Sequence, residues 1–214
     1  MAPTTGPTAE PRPGPPRPAD RRTRRARGDR GAVIVEAAVI APLFFLILFA
    51  VLEFGIAMRS YLALSNAVRD GAREASVEAN ETDADYNAVN TVASAGAVIP
   101  DGRVERIVIY HASGPGAEPN AGCKAGVPSS AKGQECNVYT PADFGRAAAD
   151  FGCDPLVPSP DRFWCPSDRE ASRSGPPDWV GVWMQVDHPW VTGLFGSGIT
   201  MTDHQVMRIE PRSA

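Results

Sequence analysis

Between Gly31 and Met58 the only charged residues are Glu36 and Glu53, and from Ala37 to Leu52 there is no polar side chain. Counted from Ala32 to Ile56, the run is 25 residues long. As a helix rising about 1.5 Å per residue it spans roughly 37 Å, enough to cross a bilayer core about 30 Å thick. A soluble helix this apolar on every side needs a large core around it, which a chain of 214 residues with a Pro-rich start does not offer. A cleaved secretory signal fits less well, because its apolar region is shorter and ends at a small-residue cleavage site. Here Glu53-Phe54-Gly55 leads into more helix. Pro42 would kink a soluble helix, whereas in a membrane neighbouring helices re-satisfy the freed carbonyl.

The two flanks of this run differ in charge. Residues 1–30 hold eight Arg against Glu10, Asp20 and Asp29, a net of +5, and no Val, Ile, Leu, Phe, Trp or Tyr. Such a segment cannot bury enough apolar surface to offset its ordering entropy and is expected to be disordered. The whole chain is −4, so residues 31–214 sum to −9 (−4 − 5). The positive-inside bias keeps the N-terminus in the cytoplasm, places everything after Met58 outside, and makes the protein a single-pass cell-membrane protein with the lipid bilayer as a partner. Nucleic acid is not expected as a partner, since the arginines abut a membrane segment and have no aromatics among them.

Cys123, Cys136, Cys153 and Cys165 all follow the apolar run, an even number in the part expected to be exported. Two disulfides are the natural reading, with three connectivities open. A zinc site ranks second, because no C-x-x-C pair occurs. Neither a metal nor a cofactor is expected. There is no Gly-rich phosphate loop, no H-E-x-x-H and no G-x-S-x-G, and His111, His188 and His204 lie in three separate segments. Asp83, Asp85, Asp101 and Glu105 follow no calcium-ligand spacing. No catalytic residue is assigned, and the chain is read as a non-enzyme.

Past Met58 the helix continues, with Tyr61, Leu64, Val68, Ala72 and Ala75 at steps of three and four on a packed face. Gly71 marks a bend or a tight contact. Asn80-Glu81-Thr82-Asp83 reads as a stop and a new N-cap, opening a second helix from about Asp83 to Ala95 that closes a hairpin. Val104 to Tyr110, Asp178 to Val186 and Met201 to Ile209 read as three strands of a small antiparallel sheet. Trp183 falls on the polar face of its strand, either covering that face or lying against the disulfide loop. Within the long insertion, Thr140-Pro141-Ala142-Asp143 reads as the start of a short helix towards Phe151. The fold class is α+β. The expected layout is a leader over 1–31, a transmembrane helix over 32–58, a helical hairpin over 59–100, and a sheet domain over 101–214 carrying a Cys-containing insertion at 111–177.

The block Glu36-Ala37-Ala38-Val39-Ile40-Ala41-Pro42-Leu43-Phe44-Phe45-Leu46, with Gly31 before it and Glu53-Phe54-Gly55 at its end, resembles the TadE-like family of pseudopilins. These are minor subunits of tight-adherence, Flp-type pilus systems. Leu64-Ser65-Asn66-Ala67-Val68-Arg69-Asp70-Gly71-Ala72-Arg73-Glu74-Ala75 extends the likeness, and Ile199 to Glu210 is similar to the family's last strand. The long leader and the four-cysteine insertion depart from the family pattern.

The resemblance implies cleavage by a prepilin-type peptidase between Gly31 and Ala32, which removes the leader and makes Glu36 the fifth residue of the mature chain. Glu36 would then face the new amino terminus of another pilin or pseudopilin subunit, the partners reached through the N-terminal helix. A carboxylate at the bilayer centre costs about 2.5–3.5 kcal/mol on the insertion scale, so an opposite charge beside it is a physical reason for it to persist. Glu53 would be a second intramembrane charge. The alternative function is a single-pass, membrane-anchored extracytoplasmic binding domain that does not polymerise.

Overall fold

The computed structural model of the chain describes residues 14, 21–96, 103–154, 156 and 158–211. Helix α1, Arg21–Glu78, carries the whole apolar run, with Pro42 inside it. The chain divides into two units between Leu48 and Phe49.

In the first unit α1 starts at Arg21, inside the segment expected to be disordered. The expectation is therefore corrected for residues 21–30. The last proline before them is Pro18, and Arg, six of the ten residues, is a good helix former. Residues 1–13 and 15–20, where the rest of that expectation falls, lie outside the described residues. Large apolar side chains from Val33 to Leu48 are exposed. The part of α1 from Gly31 to Glu78 is long and apolar enough to cross a membrane.

In the second unit α1 buries Ala57, Ser60, Leu64, Ala67, Val68, Ala72 and Ala75, a row at steps of three and four. Tyr61, expected on this face, is exposed instead. Ala57 and Ser60 take the buried positions at that level, and their small side chains let the neighbouring strands approach.

Helix α1 ends at Glu78, and the left-handed φ of 56° at Ala79 turns the chain towards α2, Ala84–Gly96. A Cβ on Gly71 would lie 2.1 Å from Val92 Cγ2, so glycine is what allows the two helices to close. The tight contact anticipated at this residue is present.

Four antiparallel strands form one sheet in the order β2-β1-β3-β4: β1 Arg103–Ala112, β2 Cys136–Tyr139, β3 Trp179–Pro189 and β4 Gly198–Arg208. Ile107 and Ile109 of β1 pair with Met184 and Val182 of β3 and share the core with α1 and α2. On the opposite face Val108, Tyr110, Trp183 and Val206 pack against Cys123 and Cys136. Trp183 thus sits against a disulfide loop, the second of the two positions considered for it. Gly181 faces Tyr110 across the strands, where a Cβ would meet the ring at 2.2 Å.

Two local expectations are corrected. The insertion contains a fourth strand, β2, which pairs with β1 from Ile107↔Tyr139 to Tyr110↔Cys136. The helix expected after Thr140 does not form beyond a turn. The Asp143 carboxylate accepts from both Thr140 N and Thr140 Oγ1 as a cap would, but Gly145 then takes a φ of +88° and ends the turn.

Candidate functional site

In the first unit, Gly31, Ala32 and Glu36 all lie within α1 and are exposed. A Cβ on Gly31 would meet nothing within 4 Å. Glu36 has no hydrogen-bond or ion-pair partner among the described residues, so its carboxylate is open to a group from elsewhere.

Glu53 differs in every respect. It stands four residues before Ala57 and so continues the packed row of α1 into the second unit, where it is 1% exposed. Its carboxylate is held by three donors from the β3–β4 connection. Thr192 Oγ1 donates to Oε1 at 2.6 Å, Thr192 N to Oε1 at 2.5 Å, and Val191 N to Oε2 at 3.0 Å. Beside it the Phe54 ring lies 5.7 Å from Trp190 and 5.8 Å from Phe195. The residue considered as a second intramembrane charge is, in this fold, the acceptor that clamps a hairpin tip to the helix. Its spacing from Ala57, Ser60 and Leu64 was the available sequence signal.

The cysteines pair in sequence order, Cys123 with Cys136 and Cys153 with Cys165, one of the three connectivities left open. Each closes a short loop and is worth about 2–4 kcal/mol. A buried polar network joins these loops to the rest of the unit. Asp85 on α2 accepts from Asn137 Nδ2 at 2.8 Å and Tyr139 OH at 2.6 Å, both on β2, and pairs with Arg169 Nη2 at 2.5 Å. The Arg169 guanidinium also lies over the Trp164 ring at 4.2 Å. Asn137 Oδ1 accepts from Phe163 N and Trp164 N, so one side chain ties the second disulfide loop to β2. Burial, and then the Asp85 carboxylate, push the Tyr139 hydroxyl well above the usual phenol range.

The histidines do not converge. His111 on β1 stacks on Trp164 and lies 3.2 Å from Glu135 and 3.5 Å from Asp178, whereas His188 is buried on β3 and His204 lies on β4. Burial works to raise the Glu135 carboxyl, but hydrogen bonds from its backbone N–H and from His111 outweigh it and hold it below its ordinary range. Among the described residues no group of three or more His, Cys, Asp or Glu is placed to hold a metal ion. Asp85, weighed at the sequence level as a calcium ligand, is committed to Arg169, Asn137 and Tyr139.

Comparison with known families matches residues 31–73 to the family model described as TadE-like protein. The match takes in Gly31, Ala32, Glu36 and Glu53 and stops before α2 and the sheet. No curated protein and no solved structure matches the chain. The family match and the apolar N-terminal helix support a Tad pilus-associated membrane protein, and one such helix suggests single-pass anchoring.

Proposed function

We propose, taking the TadE-like match over residues 31–73 as the premise, that the chain is a minor pseudopilin-type subunit inserted in the membrane for Tad pilus assembly or secretion. In this reading residues 1–31 are a cytoplasmic leader and 32–58 span the bilayer. Residues 59–100 and 101–214 then form the exported helical hairpin and sheet domain. A prepilin-type peptidase cuts between Gly31 and Ala32. The new α-amino group is a cation at one end of the membrane helix, and Glu36 is an anion one helical turn away along the chain. Two subunits side by side can then pair amine with carboxylate, which removes the cost of leaving either charge alone in lipid. No reaction is catalysed; the chain works by insertion and helix-to-helix packing.

The observation that carries this reading is Glu36: exposed, without a partner among the described residues, and five residues after Gly31 in the matched segment. Its test is co-expression with a prepilin-type peptidase followed by sequencing of the mature amino terminus. The expected terminus is Ala32, with Gly31→Leu blocking the cut. A chain that still begins at Met1, or a cut indifferent to Gly31→Leu, would overturn it.

A further inference from the structure

The tip of the β3–β4 hairpin has no role in the function proposed above. From Pro189 to Thr202 the chain has no charged residue, yet it carries Trp190, Val191, Leu194, Phe195 and Ile199. Val191 is 71% exposed, Leu194 57% and Phe195 40%. Exposed apolar residues gathered at one loop mark a contact surface, whereas the same residues scattered singly do not.

Two observations indicate which contact. The first is the height of the tip along α1. The Phe54 ring meets Trp190 and Phe195, and Glu53 holds Val191 and Thr192, so the tip lies level with the last turns of the apolar run. Arg59, the first charge after that run, is five residues beyond Phe54, about 7 Å along the helix. Exposed Phe54 and Met58 continue the apolar surface of the tip onto α1. Aromatic and apolar side chains within about 5–10 Å of the polar boundary are the pattern of a membrane interface.

The second observation is the backbone of the tip. Trp190 N donates to Ser197 O, Gly196 N to Gly193 O, Leu194 N to Thr192 Oγ1, and Val191 N and Thr192 N to Glu53. An ordinary surface loop leaves such donors to water. A loop that enters lipid has to satisfy such donors internally, and five of the seven N–H groups from Trp190 to Gly196 are satisfied in that way.

We propose that residues 190–199 are a second membrane contact, dipping into the headgroup–acyl boundary of the leaflet from which α1 emerges, with Glu53 as the latch that fixes their depth. This rests on the reading of α1 as a transmembrane helix. Lipid is the occupant because the tip carries no charged residue and continues, through exposed Phe54 and Met58, the apolar surface of that helix.

The test reconstitutes the full chain in phosphatidylcholine vesicles with brominated acyl chains and reads the tryptophan emission each variant adds to that of the unsubstituted protein. Leu194→Trp probes the tip, Leu46→Trp the membrane helix, and Val127→Trp an exposed apolar residue on the first disulfide loop. Bromolipid quenching is expected for Leu194→Trp and Leu46→Trp and not for Val127→Trp. Adding Glu53→Ala to Leu194→Trp should reduce its quenching, and unchanged quenching would remove the latch.

If Leu46→Trp is quenched while Leu194→Trp behaves like Val127→Trp, the tip proposal fails and the anchor stands. If neither is quenched, the anchor fails and the tip proposal falls with it. A blue-shifted Leu194→Trp emission without quenching would place a second copy or another subunit on the tip and overturn lipid as its occupant.

Discussion

Helix α1 before Leu48 and α1 after Ala57 are one element in two chemistries. The earlier part carries Leu, Ile, Phe and Val and leaves them exposed; the later part buries a row made mostly of Ala and places Arg59, Arg69, Asp70 and Arg73 elsewhere on its surface. Apolar content and burial therefore run in opposite directions along the same helix. In water that order is unfavourable, since each buried Leu or Phe is worth about 1.5–3 kcal/mol and these remain uncovered. The inversion is what a membrane-anchoring helix requires of its earlier part, and it shows why the later part uses Ala: small side chains allow close approach of α2 and the sheet.

The comparison can be broken most forcefully at Asp85. Replacing it by Ala leaves Arg169 buried without its counter-charge and Tyr139 and Asn137 without their shared acceptor. Asp85→Ala should destabilise the second unit by about 3–5 kcal/mol in denaturant unfolding of the full chain in detergent micelles. A loss below ~1 kcal/mol would mean that the second unit does not depend on its buried network.

A more direct contrast uses one residue type in both halves of α1. Leu64→Ala should cost about 2–5 kcal/mol in the same measurement because Leu64 is fully enclosed. Leu46→Ala should stay within ±0.5 kcal/mol because the Leu46 side chain is exposed. Similar losses for the two would erase the distinction between the halves.

The smallest effect concerns pH. Burial first, and then Glu118, raise the Tyr110 hydroxyl, as burial and Asp85 raise Tyr139. A raised folded pKa means the neutral form is favoured by folding. The stability this adds is complete below the unfolded value of about 10 and is lost as pH rises through the folded values. Ultraviolet titration should therefore show Tyr110 and Tyr139 ionising only as the chain unfolds in alkali. Ionisation of either in the folded protein would show that the sheet core admits water.

Much of this was legible in the sequence because it is local or periodic. The apolar run, the helical hairpin with its close contact at Gly71, the three longer strands and two disulfides after the apolar run all follow from properties read along the chain. What escaped was short or distant. Strand β2 is four residues, Cys-Asn-Val-Tyr, too few to establish a two-residue period, and it exists because β1 offers an open edge. Asp85 meets Arg169 across 84 residues of sequence, and Glu53 meets Thr192 across 139, distances over which no pattern in the chain pairs one with the other.

The sequence by itself determined that one segment is too apolar for water, that charge lies unequally on its two sides, and that Gly31 and Glu36 stand at a spacing resembling TadE-like proteins. Composition and period suffice for these because each is a property of neighbouring residues. Only the tertiary structure decided what Glu36 and Glu53 meet. Glu36 meets no partner among the described residues, while Glu53, on the packed row of the helix, is enclosed by a hairpin tip that the sheet brings back to it. A carboxylate takes its character from the donors folding places around it, and those donors are supplied by residues far along the chain.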